Sequence, residues 1–182
     1  MTTALFPRHP RLAAPVALPM ASRAERAWAV LHTVPDPEVP AVSVCDLGIV
    51  REVQERGDGL AVIVTPTYSG CPATEAIAEH IIEALEEEGL GPVQVIQRRA
   101  PAWTTDWLSD TGRERLRAYG IAPPGPALAQ GDSVVHVIAR GVRCPACNSA
   151  QTEKLSAFGS TPCKALYRCL ACREPFDHFK PI

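Results

Sequence analysis

The sequence has no apolar run that approaches the roughly 20 consecutive residues that a membrane-spanning helix needs. Its first twenty residues also lack the continuous apolar core of a secretory signal, because prolines interrupt a stretch of alanines and arginines. We therefore expect residues 1–20 to be a disordered leader. The net charge is only −2, and no internal repeat is present. These features predict a globular, cytoplasmic protein that is not inserted in a membrane.

The seven cysteines have few of the features of a disulfide framework. The cytoplasm is reducing, and four of the seven fall in two Cys-x-x-Cys pairs, a pattern that favours metal binding there. The pairs are Cys144 with Cys147 and Cys169 with Cys172, separated by 21 residues, which is close to the spacing of a zinc ribbon. We expect one structural Zn²⁺ per chain, bound by these four thiolates.

A closed four-thiolate site would also stabilise the fold of the C-terminal tail. About forty residues with so few large apolar side chains cannot bury enough surface to fold alone. With every coordination position filled by protein, no position remains for a reactive water, so the metal is structural. Two further residues leave an alternative open: His178 could replace a ligand, and Cys163 lies six residues before Cys169. We interpret Cys163 as an additional thiol outside the zinc site.

The body of the chain is organised around the loop at residues 65–73. The apolar, β-rich stretch 60–64 enters this loop, and the stretch 74–88 leaves it with apolar residues at helical spacing. Pro72 lies about where a first helical turn accepts proline. Cys71 is then a thiol at a helix N-terminus, where the dipole and unpaired N–H groups favour thiolate. It is a candidate nucleophile or metal ligand; the alternative is a small buried side chain.

The other patterns predict an α+β domain, a small sheet with helices packed on one face, over residues 21–120. They comprise a helix at 22–32 that begins with Ser22 and Glu25 as a capping box, a hairpin of strands at 49–54 and 60–65, a third strand at 93–96 and a last helix at 109–119. A Pro/Gly linker at 121–132 then precedes a zinc-ribbon domain at 133–182. The linker predicts two separate cores, so that loss of zinc would unfold the ribbon alone.

An acidic, proline-rich loop precedes the hairpin. In the stretch 36–40, Asp36 directly precedes Pro37, and Glu38 lies between Pro37 and Val39-Pro40. Residues before proline are restricted to extended geometry, so this loop should be rigid and present two carboxylates.

Both parts of the chain resemble a known family. The stretches 36–40 (Asp-Pro-Glu-Val-Pro), 46–50 (Asp-Leu-Gly-Ile-Val) and 65–72 (Thr-Pro-Thr-Tyr-Ser-Gly-Cys-Pro) resemble the SufT-type iron–sulfur assembly domain. The stretches 158–169 and 172–177, together with 101–107, resemble the PaaD family of aerobic phenylacetate degradation.

This resemblance implies an accessory, non-catalytic factor that accompanies the multicomponent phenylacetyl-CoA ring epoxidase and assists maturation of its metal centres. Its partners would be the protein components of that system, especially the iron–sulfur reductase. Cys71 would contact a transient iron ion or iron–sulfur cluster, with Asp36 and Glu38 as the acidic residues of the motif. A homodimer, and the choice between stable subunit and visiting factor, stay open.

Two other classes of function remain. A thiol-dependent enzyme would use Cys71 as nucleophile, but His80 lies about two helical turns away and is poorly placed as its base. A zinc-ribbon adaptor for nucleic acid or protein would use the basic tail, where residues 140–182 hold seven Lys/Arg and three acidic side chains. Residues 1–139 hold eleven Arg and seventeen acidic side chains, which would repel phosphate. We therefore expect no nucleic-acid partner.

Overall fold

The computed structural model describes residues 21–68, 70, 72–125 and 141–181. Three predictions concern residues outside that set: the leader at 1–20, the conformation of Cys71, and the part of the linker and ribbon at 126–140. None of the helices in the described part of the chain has the length and apolarity of a membrane span.

The described residues form two sheets, three α-helices and a short 3-10 helix (Thr105–Trp107), which confirms the predicted α+β class. The helices are α1 (Arg23–Leu31), α2 (Thr74–Glu87) and α3 (Asp110–Ala118). One sheet has the order β1-β2-β3, with strands Val50–Arg56, Gly59–Val64 and Val93–Gln97. The other has the order β4-β7-β6-β5, with strands in chain order Ile121–Ala122, Thr152–Ser156, Lys164–Cys169 and Pro175–Phe179.

Helix α1 begins with the capping box that its sequence predicts. The Ser22 hydroxyl accepts a hydrogen bond from the amide of Glu25 at 3.0 Å, and the Glu25 carboxylate accepts one from the amide of Ser22 at 2.7 Å. Each bond satisfies a backbone N–H that the first helical turn leaves without a partner. Farther along α1, the side chains of Ala27 and Leu31 are completely buried.

Helix α2 connects two parallel strands of the first sheet. β1 and β2 form the predicted antiparallel hairpin, and β2 pairs in parallel with β3, so α2 is the crossover between them. Ile77, Ile81 and Leu85 are buried, as their spacing predicts. Helix α2 is N-capped by Ala73, so Pro72 lies ahead of the first turn and not within it. No side chain caps this helix, and the proline does not pre-form its first turn.

Residues of both sheets meet in the larger of two apolar clusters, called here the shared core. β4 pairs in parallel with β7, so Ile121 and Ala122, assigned above to the linker, belong to the ribbon's sheet. Cys163 and Phe179 from the ribbon lie in the same apolar cluster as the core of the first sheet. Phe179 packs against Trp103, with ring centroids 6.1 Å apart. A second, smaller apolar cluster lies within the ribbon and comprises Ala122, Cys144, Cys169 and Phe176. The ribbon thus has a cluster of its own and also contributes Cys163 and Phe179 to the cluster of the domain before it.

The loop at residues 101–108, which carries Trp103 and Trp107, fixes the turn before β1. The indole N–H of Trp103 donates to the carbonyl oxygen of Leu47 at 2.8 Å, and Trp103 is buried. Gly48 has a φ of +65°, and a Cβ added there would lie 2.5 Å from the carbonyl oxygen of Trp107. Only glycine combines that backbone conformation with that approach. The guanidinium of Arg51 covers the ring of Trp107 at 3.5 Å, which closes the loop from outside.

Candidate metal and cargo sites

Four sulfur atoms of the ribbon lie within 4.8 Å of one another. Cys144 Sγ is 3.7 Å from Cys172 Sγ, and Cys147 Sγ is 3.5 Å from Cys169 Sγ. A tetrahedral zinc ion with bonds of about 2.3 Å requires sulfurs about 3.8 Å apart. The four predicted ligands therefore fit a zinc ion with little movement.

Each cysteine pair sits in a tight knuckle with the same backbone device. Asn148 follows the first pair and Arg173 follows the second, and both adopt left-handed φ angles, of +58° and +71°. The amide of Asn148 donates to the Cys144 carbonyl oxygen at 2.9 Å, and that of Arg173 to the Cys169 carbonyl oxygen at 3.0 Å. The knuckles thus hold both sulfurs of a pair on the same side of the turn.

Ionisation of the four thiols requires a cation. The backbone N–H groups of Cys172 and Ala171 donate to Cys169, which lowers the pKa of its thiol to about 6. The amide of Glu174 stabilises the Cys172 thiolate, yet burial and the three neighbouring thiols raise the pKa of Cys172 to about 12. Four thiolates therefore do not form together at neutral pH without a positive ion between them. A divalent ion supplies that charge and fills a site with no open position.

The basic side chains of the ribbon have partners of their own. Arg168 pairs with Glu153 across the β5–β6 ladder. Lys164 is buried, with its Nζ 3.8 Å from Asp177. Part of the positive charge of the tail is therefore paired with acidic side chains of the ribbon itself.

Asp36 organises the acidic loop and is itself buried. Its Oδ1 accepts hydrogen bonds from the amides of Glu38 at 3.0 Å and Val39 at 2.8 Å. Burial raises the pKa of the Asp36 carboxyl, and the two amide donors and the Lys164 ammonium oppose that rise. The sequence predicted that this loop would present the Asp36 carboxylate. The carboxylate instead accepts hydrogen bonds from the backbone of its own loop.

Glu38 is half-buried and lies against the ribbon. Its Oε2 is 3.9 Å from the sulfur of Cys163, a residue only 8% exposed. Burial and the neighbouring Asp36 carboxylate raise the pKa of Glu38, and Lys164 opposes the rise. Glu38 and Cys163 share a narrow cleft without room for a water molecule, whose other lining residues are Tyr68, Pro72 and Pro162.

The role of Cys71 stays a prediction. It lies outside the described residues, although Tyr68 and Pro72, three positions before it and one after it in sequence, line the cleft. Among the described residues, the group of four sulfurs does not include Cys163, in keeping with the interpretation of a thiol outside the zinc site. The approach of Cys163 to Glu38 was missed, because 125 positions separate them and no periodicity links them.

Cys45 is an example of an unreactive thiol in this chain. It is half-buried, and burial together with the neighbouring Asp46 carboxylate raises the pKa of its thiol to about 12. A neutral thiol is a poor nucleophile and metal ligand.

Two family profiles match the chain. Residues 24–95 match the iron–sulfur cluster assembly protein family, and residues 132–180 match the PaaD zinc beta ribbon domain. Two solved structures are similar to the first part. A domain of unknown function from Bacillus anthracis is 24% identical with a TM-score of 0.48, covering 52% of this chain and 91% of that one. A Mycobacterium tuberculosis protein associated with Fe-S complex assembly and repair is 29% identical with a TM-score of 0.32, covering 59% and 96%.

A curated relative spans nearly the whole molecule. It is a protein of Escherichia coli K12, provisionally named as one of the subunits of 1,2-phenylacetyl-CoA epoxidase. The two are 53% identical over 155 residues, which are 85% of this chain and 91% of the relative. The chain therefore belongs to the PaaD family of 1,2-phenylacetyl-CoA epoxidase proteins, in which an iron–sulfur cluster assembly domain is joined to a zinc ribbon.

Proposed function

We propose that this protein is a non-catalytic maturation factor of the phenylacetyl-CoA epoxidase system in the cytoplasm. It assists the insertion of iron or an iron–sulfur cluster into a component of that system, with the iron–sulfur reductase as the favoured partner. The name of the Escherichia coli relative supports the epoxidase connection, and the match to the iron–sulfur cluster assembly family supports the cargo.

The observation that carries the proposal is the packing of the two modules. The assembly domain and the ribbon share an apolar core, and a carboxylate from one meets a thiol from the other in a single cleft. The zinc site is closed by four protein sulfurs, so it contributes structure and leaves metal transfer to another part of the chain.

In this proposal Cys71 is the transient ligand for the cargo. Thiolate favours iron and clusters, whereas carboxylate favours the harder ferrous ion, so a mixed and incomplete set holds iron without retaining it. Glu38 is the carboxylate that faces the cleft, and Asp36 acts by holding the loop that carries Glu38.

The test is the iron content of each epoxidase component, purified from cells that contain the wild-type protein, the Cys71→Ala variant or no such protein. We expect at least one component to lose most of its iron without the protein and in Cys71→Ala, while the variant keeps its fold and one zinc per chain. Normal iron in every component of cells lacking the protein would overturn the proposal. A defect seen only when Cys71→Ala is also unfolded would assign that residue a structural role.

A further inference from the structure

An open groove of about 430 Å³ lies on one face of the ribbon's sheet. Its size is within the range of binding pockets in proteins. Four of its seven lining residues are Phe, Leu or Pro, so the groove is mainly apolar. The lining comprises Leu166 of β6, Pro175, Phe176 and Asp177 of β7, and residues 158–160 of the loop that joins β5 to β6.

Phe158 at the groove is held in solvent by a well-anchored loop. It is 66% exposed, more than any other large apolar residue in the described part of the chain. Its amide donates to the Ser156 hydroxyl at 3.1 Å, and the amide of Gly159 donates to the Lys164 carbonyl oxygen at 2.8 Å. A Cβ added at Gly159 would clash with the Asp177 carboxylate. The fold gains no hydrophobic free energy from a ring kept in water, whereas a ring on an ordered loop lowers the entropic cost of binding a partner.

Lys180 gives the edge of the groove a positive charge. Its Nζ lies 4.5 Å from the centroid of the Phe158 ring and donates to the Ala157 carbonyl oxygen at 3.3 Å. Among the residues that the structure describes, no carboxylate forms an ion pair with Lys180. The carboxylate that lines the groove, Asp177, is itself paired with Lys164 at 3.8 Å. The charge left without a partner is therefore a cation, which complements a carboxylate.

We propose that this groove is the docking surface for a protein component of the epoxidase system. That component would insert an aromatic or branched apolar side chain flanked by carboxylates. An open groove beside a protruding ring suits a protein surface, because a small molecule bound there would stay largely in water. This inference rests on the proposed function and names the surface that holds the recipient of the cargo.

The groove is also close to the acidic loop of the assembly domain. Lys164, which pairs with Asp177 in the groove, has its charge near enough to Glu38 to oppose the rise in the pKa of that carboxyl. A component held in the groove would therefore lie near the loop that carries Glu38.

Binding of the full, zinc-loaded chain to each purified epoxidase component, measured by biolayer interferometry at low and high salt, tests the inference. The variants are Phe158→Ala and Lys180→Glu. Tyr119→Ala is the matched control for the ring, because Tyr119 is 60% exposed at the end of α3. Lys154→Glu is the control for charge, because Lys154 pairs with Tyr167, whose neighbour along β6 lines the groove from the other face.

We expect one component to bind wild type and both controls alike. Phe158→Ala should bind it about tenfold or more weakly, as truncation of an aromatic anchor does. Lys180→Glu should also bind more weakly, and its affinity should depend less on salt. Zinc content and melting temperature should stay at the wild-type values in both variants, since both changes are at the surface.

The outcomes separate this inference from the proposal it rests on. A component that binds wild type and Phe158→Ala equally, or that Tyr119→Ala weakens as much, overturns the inference and leaves the proposed function standing. Unchanged binding by Lys180→Glu contradicts the acidic occupant. A wild-type dimer that Phe158→Ala dissociates in sedimentation would assign the groove to a second copy and overturn the inference. So would a wild-type chain that binds no component, whereas the proposed function fails only on the iron contents described above.

Discussion

Cysteine sulfur atoms have different surroundings in the zinc site and in the cleft between the modules. In the ribbon, four sulfurs converge within 4.8 Å and leave no open position. In the cleft, the sulfur of Cys163 meets the carboxylate of Glu38 at 3.9 Å, with a buried lysine next to the loop. A complete set of thiolate ligands keeps its metal and stabilises a fold, whereas the proposed cargo site, with Cys71 as its transient ligand, must release its metal. The predictions below test that division between resident metal and cargo.

The largest effect should follow loss of a zinc ligand. Cys169→Ser leaves three sulfurs, and structural zinc sites contribute about 10 kcal/mol or more of apparent binding free energy. We expect loss of zinc and of the ribbon fold. Because Phe179 and Cys163 pack into the shared core, we also expect a lower melting temperature for the domain before it. Zinc analysis and near-ultraviolet circular dichroism, which reports on Trp103, measure both.

Cys163→Ser is the matched comparison, since it also removes one buried ribbon sulfur. It should keep one zinc per chain. Zinc loss in Cys163→Ser with retention in Cys169→Ser would show that the ligands are wrongly assigned. An unchanged melting temperature for the assembly domain in Cys169→Ser would contradict the shared core.

A smaller effect should come from pH. His178 is buried on β7 beside Tyr167, and burial, aided by Lys154, lowers the pKa of its imidazole to about 4 from 6.5. The folded state then binds fewer protons than the unfolded state, so this contribution is complete above pH 6.5 and is lost as the pH falls toward 4. We expect the free energy of unfolding to drop by about 2 kcal/mol between about pH 7 and pH 5 from this residue.

Denaturant unfolding at both pH values, with zinc content checked at each, measures that drop. His178→Leu removes the titrating group, and the drop should shrink by the stated amount. An equal drop in wild type and His178→Leu would contradict the assignment.

The smallest effects should separate the two carboxylates of the acidic loop. Asp36→Ala leaves the amides of Glu38 and Val39 without their acceptor, at a cost of about 1.5 kcal/mol. Asp36→Asn keeps an oxygen acceptor and should recover most of that stability. Glu38→Ala breaks no backbone contact of this kind and should change the free energy of unfolding least. Equal losses in Asp36→Ala and Glu38→Ala, measured by urea unfolding, would contradict the division of roles.

The sequence predicted the local features and missed those that join distant segments. The Ser22–Glu25 capping box, the hairpin and the buried face of α2 depend on neighbouring residues, so periodicity and turn chemistry revealed them. The grouping of the four ribbon cysteines could also be predicted, because each Cys-x-x-Cys pair is a short motif.

The shared core and the cleft depend on contacts between segments far apart in the chain. The prolines after residue 122 predicted a linker, but Ile121 and Ala122 pair with β7, a long-range contact that no local pattern reports. Asp36 looked like a presented ligand because composition does not show that its oxygen accepts two nearby amide hydrogens.

The most direct test of the account is transfer of iron in vitro. The zinc-loaded protein, charged anaerobically with isotopically labelled Fe²⁺, is mixed with the iron-free iron–sulfur reductase component, and the label in each protein is counted after separation. The account predicts that label moves to the reductase from the wild-type protein faster than from free iron at the same concentration, with zinc left behind, and that Cys71→Ala does not accelerate it. Transfer no faster than from free iron, or equal acceleration by Cys71→Ala, would contradict it.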